Sequence, residues 1–260
     1  MLLKTNERVG EETYNYQGLR MVIQEYRGWN DVDVVFDNGY VKKHVYYSNF
    51  KNGTIRNHMI PEVYGVGILG DVKTKVNGKF TKEYSTWSNM LQRCYDEKKQ
   101  EEFPRYKGII ICEEWLYYPN FVEWCHNQPN WDKVMENSKE FHIDKDIISK
   151  GNKLYSPNTC SFVPAIVNTL FCKSNAARGD YPIGVSLESK RNKFRSRCND
   201  PINNVQIEHG GFLTPEDAFK QYKKDKERII KKIAQDEFDK GNITKECYNA
   251  MLKYQVKITD

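Results

Sequence analysis

The sequence predicts an α+β protein made of several small modules. Its 260 residues suit two or three small domains better than one large core. Segments with strand-like alternation and segments with helix-like apolar spacing occupy different parts of the chain. The hydrophobic fraction of 39% and the aromatic fraction of 13% are sufficient for packed cores. We therefore expect a small β domain over residues 1–72, a mixed central unit over 80–172, and a three-stranded sheet with C-terminal helices over 178–260.

The first 70 residues are predicted to form the β domain. Three segments are rich in β-branched and aromatic residues, namely MVIQEY, DVDVVF and YVKKHVYY. Asp37-Asn38-Gly39 separates the last two and predicts a tight hairpin, because Asn and Gly tolerate a positive φ. The segment does not indicate its own role, so contact with DNA or with another protein stays open.

Two helices are predicted within residues 84–126. The first has an apolar stripe at three- and four-residue spacing, formed by Tyr84, Trp87, Met90, Leu91 and Cys94. The second is expected near Pro119, a residue suited to the first turn of a helix. Residues 127–140 are polar and predict a loop.

Residues 141–170 predict a strand, a loop, a second strand and a helix. FHIDKDI alternates, and as a regular strand it would place His142, Asp144 and Asp146 on one face. Gly151-Asn152 indicates the loop, CSFV the second strand, and Pro164 the start of the helix.

Residues 181–212 predict three short strands, IGVSLES, KFRSRCN and VQIEHGGF, followed by a helix that Thr214 caps. In the second strand Lys193, Arg195 and Arg197 would share one face. The opposite face would hold Phe194, packed on the helix. A last helix is expected over about 243–254.

Positive charge is concentrated in the last third of the chain. Residues 173–235 contain 14 Lys and Arg residues against eight acidic residues, whereas the whole chain has a formal net charge of +5. A localised basic surface attracts the phosphate backbone of nucleic acids.

Several protein classes are not expected. No apolar run of about 18 residues occurs, and the first residues, MLLKTNERVGEE, lack the apolar core of a signal peptide. Seven cysteines occur without a CxxC pair, so neither a disulfide framework nor a structural zinc site is expected. These features predict a protein without membrane contact, in the cytoplasm, or in the host cytoplasm if the gene is carried by a phage.

The C-terminal segments GVSLESKRNKFRSRCND and VQIEHGGFLTPEDAFKQY resemble the AP2 family. The matching pieces are Gly184-Val185, Lys193-Phe194-Arg195 and Gly211-Phe212, with Thr214, Glu216 and Ala218 at the helix start. The resemblance implies a sheet that binds double-stranded DNA through Lys190, Arg191, Lys193, Arg195 and Arg197. The alternative is a solvated charged strand on a small α+β domain.

Residues 84–170 resemble phage-encoded HNH endonuclease-like proteins, through TWSNMLQRCYD, YKGIIICEEW, NFVEW and FHIDKDIISKGNKLYSPNTCSFVPAIVN. The resemblance implies a ββα-metal unit that hydrolyses phosphodiester bonds with a divalent metal. Asp144 matches the metal-binding acid, Gly151-Asn152 the loop, Phe162 the aromatic residue of the second strand, and Asn168 the last metal ligand. The sequence departs from the pattern at two positions: Lys145 stands where the family has its general-base His, and Thr159 where it has its central Asn.

The candidate catalytic residues are therefore His142 or Lys145 as the base. The candidate ligands of Mg²⁺ are Asp144, Asp146 and Asn168. Two functions follow from the resemblance. The first is a DNA endonuclease or nickase of phage or mobile-element origin. The alternative is a catalytically inactive DNA-binding regulator or defence-related protein on the same scaffold. An antagonist of a host protein, acting through the N-terminal domain, is a third possibility.

Overall fold

The computed structural model describes residues 7–171 and 180–259. The first six residues, Cys172, and the basic residues Lys173 and Arg178 counted above lie outside these ranges. Within them the fold mixes helices with small sheets, and no helix is both long and apolar enough to cross a membrane. The six cysteines in these ranges carry free thiols, and five of them are buried. Two compact units divide the chain, the first comprising residues up to Lys73 with 116–119.

An antiparallel four-stranded meander forms the first unit and confirms the predicted strand-rich segment. Its elements are β1 (Glu12–Tyr14), β2 (Arg20–Gly28), β3 (Asp31–Phe36), β4 (Val41–Val45), α1 (Tyr47–Lys51), β5 (Pro61–Val63) and β6 (Gly67–Ile68). The predicted hairpin joins β3 to β4, with Gly39 at a φ of +83°. The strand predicted to run through YVKKHVYY ends earlier, at Val45. The chain then turns into α1, which places Phe50 in the core of this sheet.

The remaining elements belong to the second unit, apart from the parts of them that fall within residues 116–119. They are β7 (Lys75–Val76), β8 (Lys79–Phe80), α2 (Lys82–Tyr95), α3 (Glu97–Glu102), β9 (Ile110–Ile111), α4 (Tyr118–His126), α5 (Trp131–Glu136), β10 (Phe141–Asp144), β11 (Leu154–Tyr155), β12 (Ser161–Pro164), α6 (Ala165–Leu170), β13 (Val185–Glu188), β14 (Lys193–Asp200), β15 (Val205–Phe212), α7 (Pro215–Asp239) and α8 (Lys245–Lys253). Short 3₁₀ turns lie at Pro104–Tyr106 and Glu113–Leu116.

Helix α2 confirms the predicted apolar stripe. Thr81 caps its first turn by accepting a hydrogen bond from the Tyr84 amide. Trp87 is fully buried and donates from Nε1 to the carbonyl of Trp115 at 2.6 Å. The prediction of a loop at 127–140 is wrong over the middle of that range, because residues 131–136 form the helix α5. That helix has one buried apolar residue, Val134, which is too few for a periodic signal in the sequence.

The central hairpin pairs β10 with β12, antiparallel, and α6 follows directly. This confirms the predicted second strand and the helix start at Pro164, which is the N-cap residue. The first strand is shorter than FHIDKDI suggested. Its last residue is Asp144, whose Oδ1 accepts hydrogen bonds from the amides of Asp146 and Ile147 and so turns the chain. The expectation that Asp146 continues the strand face of His142 and Asp144 is therefore wrong.

The C-terminal sheet has the order β13-β14-β15, and α7 packs against it. Thr214 caps α7 and Pro215 begins it, as predicted. Along β14 the burial alternates, with Ser196 and Cys198 buried and Arg197 exposed. Phe194 lies two residues before the buried Ser196 and so on the same face of β14, where its ring packs edge-on against Tyr181 with centroids 5.1 Å apart. The register shift opposite Phe194 and Ser196 falls on β15 between His209 and Phe212, so β14 itself stays regular.

One apolar cluster connects the central hairpin with the C-terminal elements. It contains Ile147, Val163, Val167 and Leu170 from around β10, β12 and α6. It also contains Cys198 of β14, residues of α7 such as Ile229, Ile230 and Ile233, and Cys247 and Met251 of α8. The segments 80–172 and 178–260 thus contribute to the same core.

Replacing Gly184 with Ala should destabilise the second unit. Gly184 has a φ of +74°, and a Cβ there would lie 2.1 Å from Cδ2 of Tyr222, a buried residue of α7. We expect the free energy of unfolding to fall by about 2–5 kcal/mol, from backbone strain and overpacking together. Thermal unfolding would measure the change. Gly210→Ala is the control, because open space surrounds that position. An unchanged midpoint in Gly184→Ala would contradict the packing.

Candidate active-site cavity

A cavity of about 360 Å³ opens beside the central hairpin, within the second unit. All five residues that the sequence nominated for catalysis or metal binding line it: His142, Asp144, Lys145, Asp146 and Asn168. The sequence patterns did not place Arg105, Tyr106 or Tyr155 there. The structure brings Arg93, Arg105 and both tyrosines to the same cavity.

The hairpin and its flanking helices position these side chains. Strand β10 carries His142 and Asp144, which are two residues apart and so face the same side. The turn after β10 supplies Lys145 and Asp146. Because α6 follows β12 without a loop, Asn168 is brought to the cavity from the helix.

One carboxylate oxygen of Asp144 accepts hydrogen bonds from the backbone, and the other is available to a ligand. Its Oδ1 accepts from the amides of Asp146 at 2.7 Å and Ile147 at 2.8 Å. Its Oδ2 makes no hydrogen bond within the described chain. Burial raises the pKa of the Asp144 carboxyl group, and these backbone bonds oppose that effect. A cation in the cavity would favour the ionised carboxylate.

His142 faces the cavity with an exposed side chain. Partial loss of solvent lowers the pKa of its imidazole, and the positive charges of Lys82 and Arg93 lower it further. A neutral imidazole has a free nitrogen lone pair and can accept a proton at neutral pH.

Lys145 is buried, and its ammonium group is already engaged. Nζ donates to Oδ2 of Asp146 at 2.7 Å and to the carbonyl of Asn152 at 2.6 Å. Both bonds use the ammonium as a donor, whereas a general base must accept a proton. The arrangement ties the turn after β10 to the loop and engages one oxygen of Asp146.

The loop between β10 and β11 is held by the residues that the sequence singled out there. Gly151 adopts a φ of +77°. The Asn152 side chain donates to the carbonyls of Lys145 and Leu154. Thr159, which stands where the resembled family has Asn, donates from its hydroxyl to the carbonyl of Leu154 at 2.7 Å. The Thr159 hydroxyl thus makes the hydrogen bond that holds residues 154–159 together.

Arg93 and Arg105 give the cavity its positive charge. Arg93 donates to the Tyr155 hydroxyl at 3.4 Å, and its guanidinium lies 5.8 Å from the ring centroid of Tyr106. Arg105 lies 5.2 Å from the same centroid. Neither arginine forms an ion pair with any residue in the described ranges. Both guanidinium groups can therefore bind an anion without losing a carboxylate partner.

Three His, Cys, Asp or Glu ligands converge within 4.8 Å at only one place in the described chain, at Asp31, Asp33 and His44 of the first unit. Arg27 already forms hydrogen bonds with both of these carboxylates. His142, Asp144 and Asp146 do not converge in this way, so any ion in the cavity would draw on other oxygens, including that of Asn168.

The cations nominated on the C-terminal sheet are partly neutralised by acidic neighbours. Arg195 lies 3.2 Å from Glu188 and 3.6 Å from Glu208, and Arg197 lies 2.8 Å from Glu208. Arg191 approaches Glu188 at 3.7 Å. The exposed Lys190 and Lys193 form no ion pair with a described residue.

The chain matches none of the family models, curated proteins or solved structures with which it was compared. Its function therefore has to be inferred from the cavity, the sheet and the sequence motifs.

The substitution Arg93→Gln should raise the pKa of the His142 imidazole, because it removes one of the positive charges that disfavour the imidazolium. Histidine resonances followed by NMR across pH would measure the shift, with His142→Gln for assignment. Arg228→Gln on α7, outside the cavity lining, is the control and should leave this pKa unchanged. A His142 pKa that stays constant or falls in Arg93→Gln would contradict the arrangement.

Proposed function

We propose that the chain is a metal-dependent DNA endonuclease or nickase of the HNH-like type, of phage or mobile-element origin. One observation carries the proposal: an imidazole, a buried carboxylate, a side-chain amide and two guanidinium groups line one cavity beside an antiparallel hairpin and a helix. Phosphodiester hydrolysis requires groups that bind phosphate, activate water and stabilise the departing oxygen. The residue types around this cavity are suited to those three tasks.

Arg93 and Arg105 would hold the phosphate. Guanidinium groups bind phosphate oxygens with paired hydrogen bonds, and neither side chain has a carboxylate to release first. Their fixed positive charge would also offset the negative charge that builds up on the phosphate as water attacks.

His142 would accept the proton from the attacking water. The lowered pKa of its imidazole favours the neutral form that this step requires. Lys145 would act as a positioning residue, because its ammonium holds the loop through Asn152. This division of roles accounts for a Lys at the position where the resembled family has its His.

The oxygens present are suited to Mg²⁺. Asp144 Oδ2 and the side-chain oxygen of Asn168 are hard donors, and Mg²⁺ is commonly held by one or two protein carboxylates while water and phosphate complete its shell. Asp146 could contribute the oxygen that Lys145 leaves free. A bound divalent ion supplies positive charge to the departing oxygen.

Plasmid cleavage tests the proposal. Purified chain with Mg²⁺ or Mn²⁺ should nick or linearise supercoiled DNA, and EDTA should prevent it. We expect Asp144→Asn to abolish cleavage, because it removes the anionic ligand. His142→Gln should lower the rate by about 10²- to 10⁴-fold, the usual contribution of a general base.

Asp132→Asn is the matched control, since Asp132 is an exposed carboxylate on α5 outside the cavity lining. It should cleave like the wild type. Cleavage that persists in Asp144→Asn would overturn the assignment of the site. Plasmid and genomic DNA that both stay intact with either metal would overturn the nuclease.

The second candidate is a DNA-binding regulator or defence-related protein without catalysis. Two observations favour it: Lys145 replaces the expected His, and Asp146 is already engaged by Lys145. Double-stranded DNA would then be bound by the outer face of the C-terminal sheet, with Lys190 and Lys193 as the unpaired cations.

Charge changes on the sheet test this binding surface. Combining Lys193→Ala with Arg195→Ala should weaken binding to duplex DNA and lower its salt slope by about 2. Glu208→Gln should strengthen binding, because it frees Arg197 and removes one of the two acidic neighbours of Arg195. Fluorescence anisotropy at several salt concentrations would measure both, with Glu246→Gln on α8 as the control. Unchanged affinity in the double variant and in Glu208→Gln would exclude this face.

A further inference from the structure

A polar groove runs along α2 and joins the active-site cavity. Its volume is about 130 Å³, and its floor on the helix side is formed by Lys82, Ser85, Thr86 and Asn89. It shares Arg93, His142 and Ile143 with the larger cavity, so the two lie side by side at His142.

Three neutral polar side chains of the groove have no hydrogen-bond partner in the described part of the chain. Ser85, Thr86 and Asn89 make no side-chain hydrogen bond to any described residue. Polar groups in a concave surface are ordinarily satisfied by protein, water or ligand. No acidic residue lines the groove, and this composition favours an anionic or polar ligand.

A positive charge lies at each end of the groove. Lys82 is anchored at one end, where Nζ donates to the carbonyls of Ser138 at 2.5 Å and Phe141 at 2.7 Å. Arg93 lies at the other end, in the active-site cavity. Residues 85, 89 and 93 are spaced by about one helical turn each, so they form a row about 12 Å long.

We propose that this groove binds one nucleic-acid strand by its sugar–phosphate backbone and leads it into the active-site cavity. A row of about 12 Å corresponds to roughly three nucleotides at about 3.4 Å per nucleotide. Hydroxyl, amide and cationic side chains are the groups that contact phosphate and sugar. The inference rests on the proposed function in one respect, that the same strand supplies the phosphate held by Arg93.

Binding of tetranucleotides, measured in EDTA, separates this groove from catalysis. The full chain with labelled histidine would be titrated with single-stranded dT4 and with rU4, and the resonance of His142, assigned with His142→Gln, would be followed by NMR. We expect one or both to shift this resonance. Asn89→Asp and Arg93→Gln should each raise the dissociation constant at least about fivefold, because each makes the groove less positive.

Ser88→Asp is the matched control. It adds the same charge to α2 as Asn89→Asp but lies outside the groove lining, and it should change the dissociation constant by less than about twofold. The DNA and RNA arms tell which sugar the groove accepts. If neither tetranucleotide shifts the His142 resonance, or if both groove variants bind like the wild type, the inference is wrong.

The outcomes also separate the groove from the nuclease. A chain that binds tetranucleotides in this pattern but leaves plasmid intact would keep the groove and refute the nuclease. A chain that cleaves plasmid while its His142 resonance ignores both tetranucleotides would do the reverse.

Discussion

The packing of α7 is the interaction on which the rest of the second unit depends. Three isoleucines of this helix, Ile229, Ile230 and Ile233, are each 1% exposed. They lie in one cluster with apolar residues of the central hairpin, of α6 and of the C-terminal sheet. Each such side chain contributes about 1.5–3 kcal/mol when it is fully buried. This helix thus shares its core with the elements that carry His142 and Asn168.

The cavity holds two titratable groups whose environments act in opposite directions on their pKa values. Burial raises the pKa of the Asp144 carboxyl group, while solvent loss and two cations lower that of His142. Both effects favour the uncharged form. Positive charge brought in by a divalent ion would reverse the effect on Asp144 and strengthen it on His142, so an ion would favour the ionised carboxylate beside a neutral imidazole.

Much of this fold could be predicted from residue patterns, and the exceptions have local causes. The alternation along β14, the cap at Thr214 and the stripe on α2 are repeated signals, and they predicted the elements correctly. The end of β10 depends on one oxygen of Asp144, which accepts hydrogen bonds from two backbone amides. In the sequence the alternating pattern continues past this point, so the end of the strand was not predicted. The five nominated site residues do share one cavity, whereas Arg105 and Tyr106 reach it from a 3₁₀ turn, an element too short to leave a periodic pattern in the sequence.

The ion pairs on the C-terminal sheet have a consequence for how that face would meet a polyanion. In the free protein Arg195 forms an ion pair with Glu188, and Arg197 forms one with Glu208. Any phosphate that reaches those arginines must first displace a carboxylate, and this cost is the same for every sequence. Long-range attraction would come from Lys190 and Lys193 at the turn, and the arginines would engage only on close contact. Such a surface would form only short-lived complexes with nucleic acid that does not bring its phosphates into close contact with the arginines.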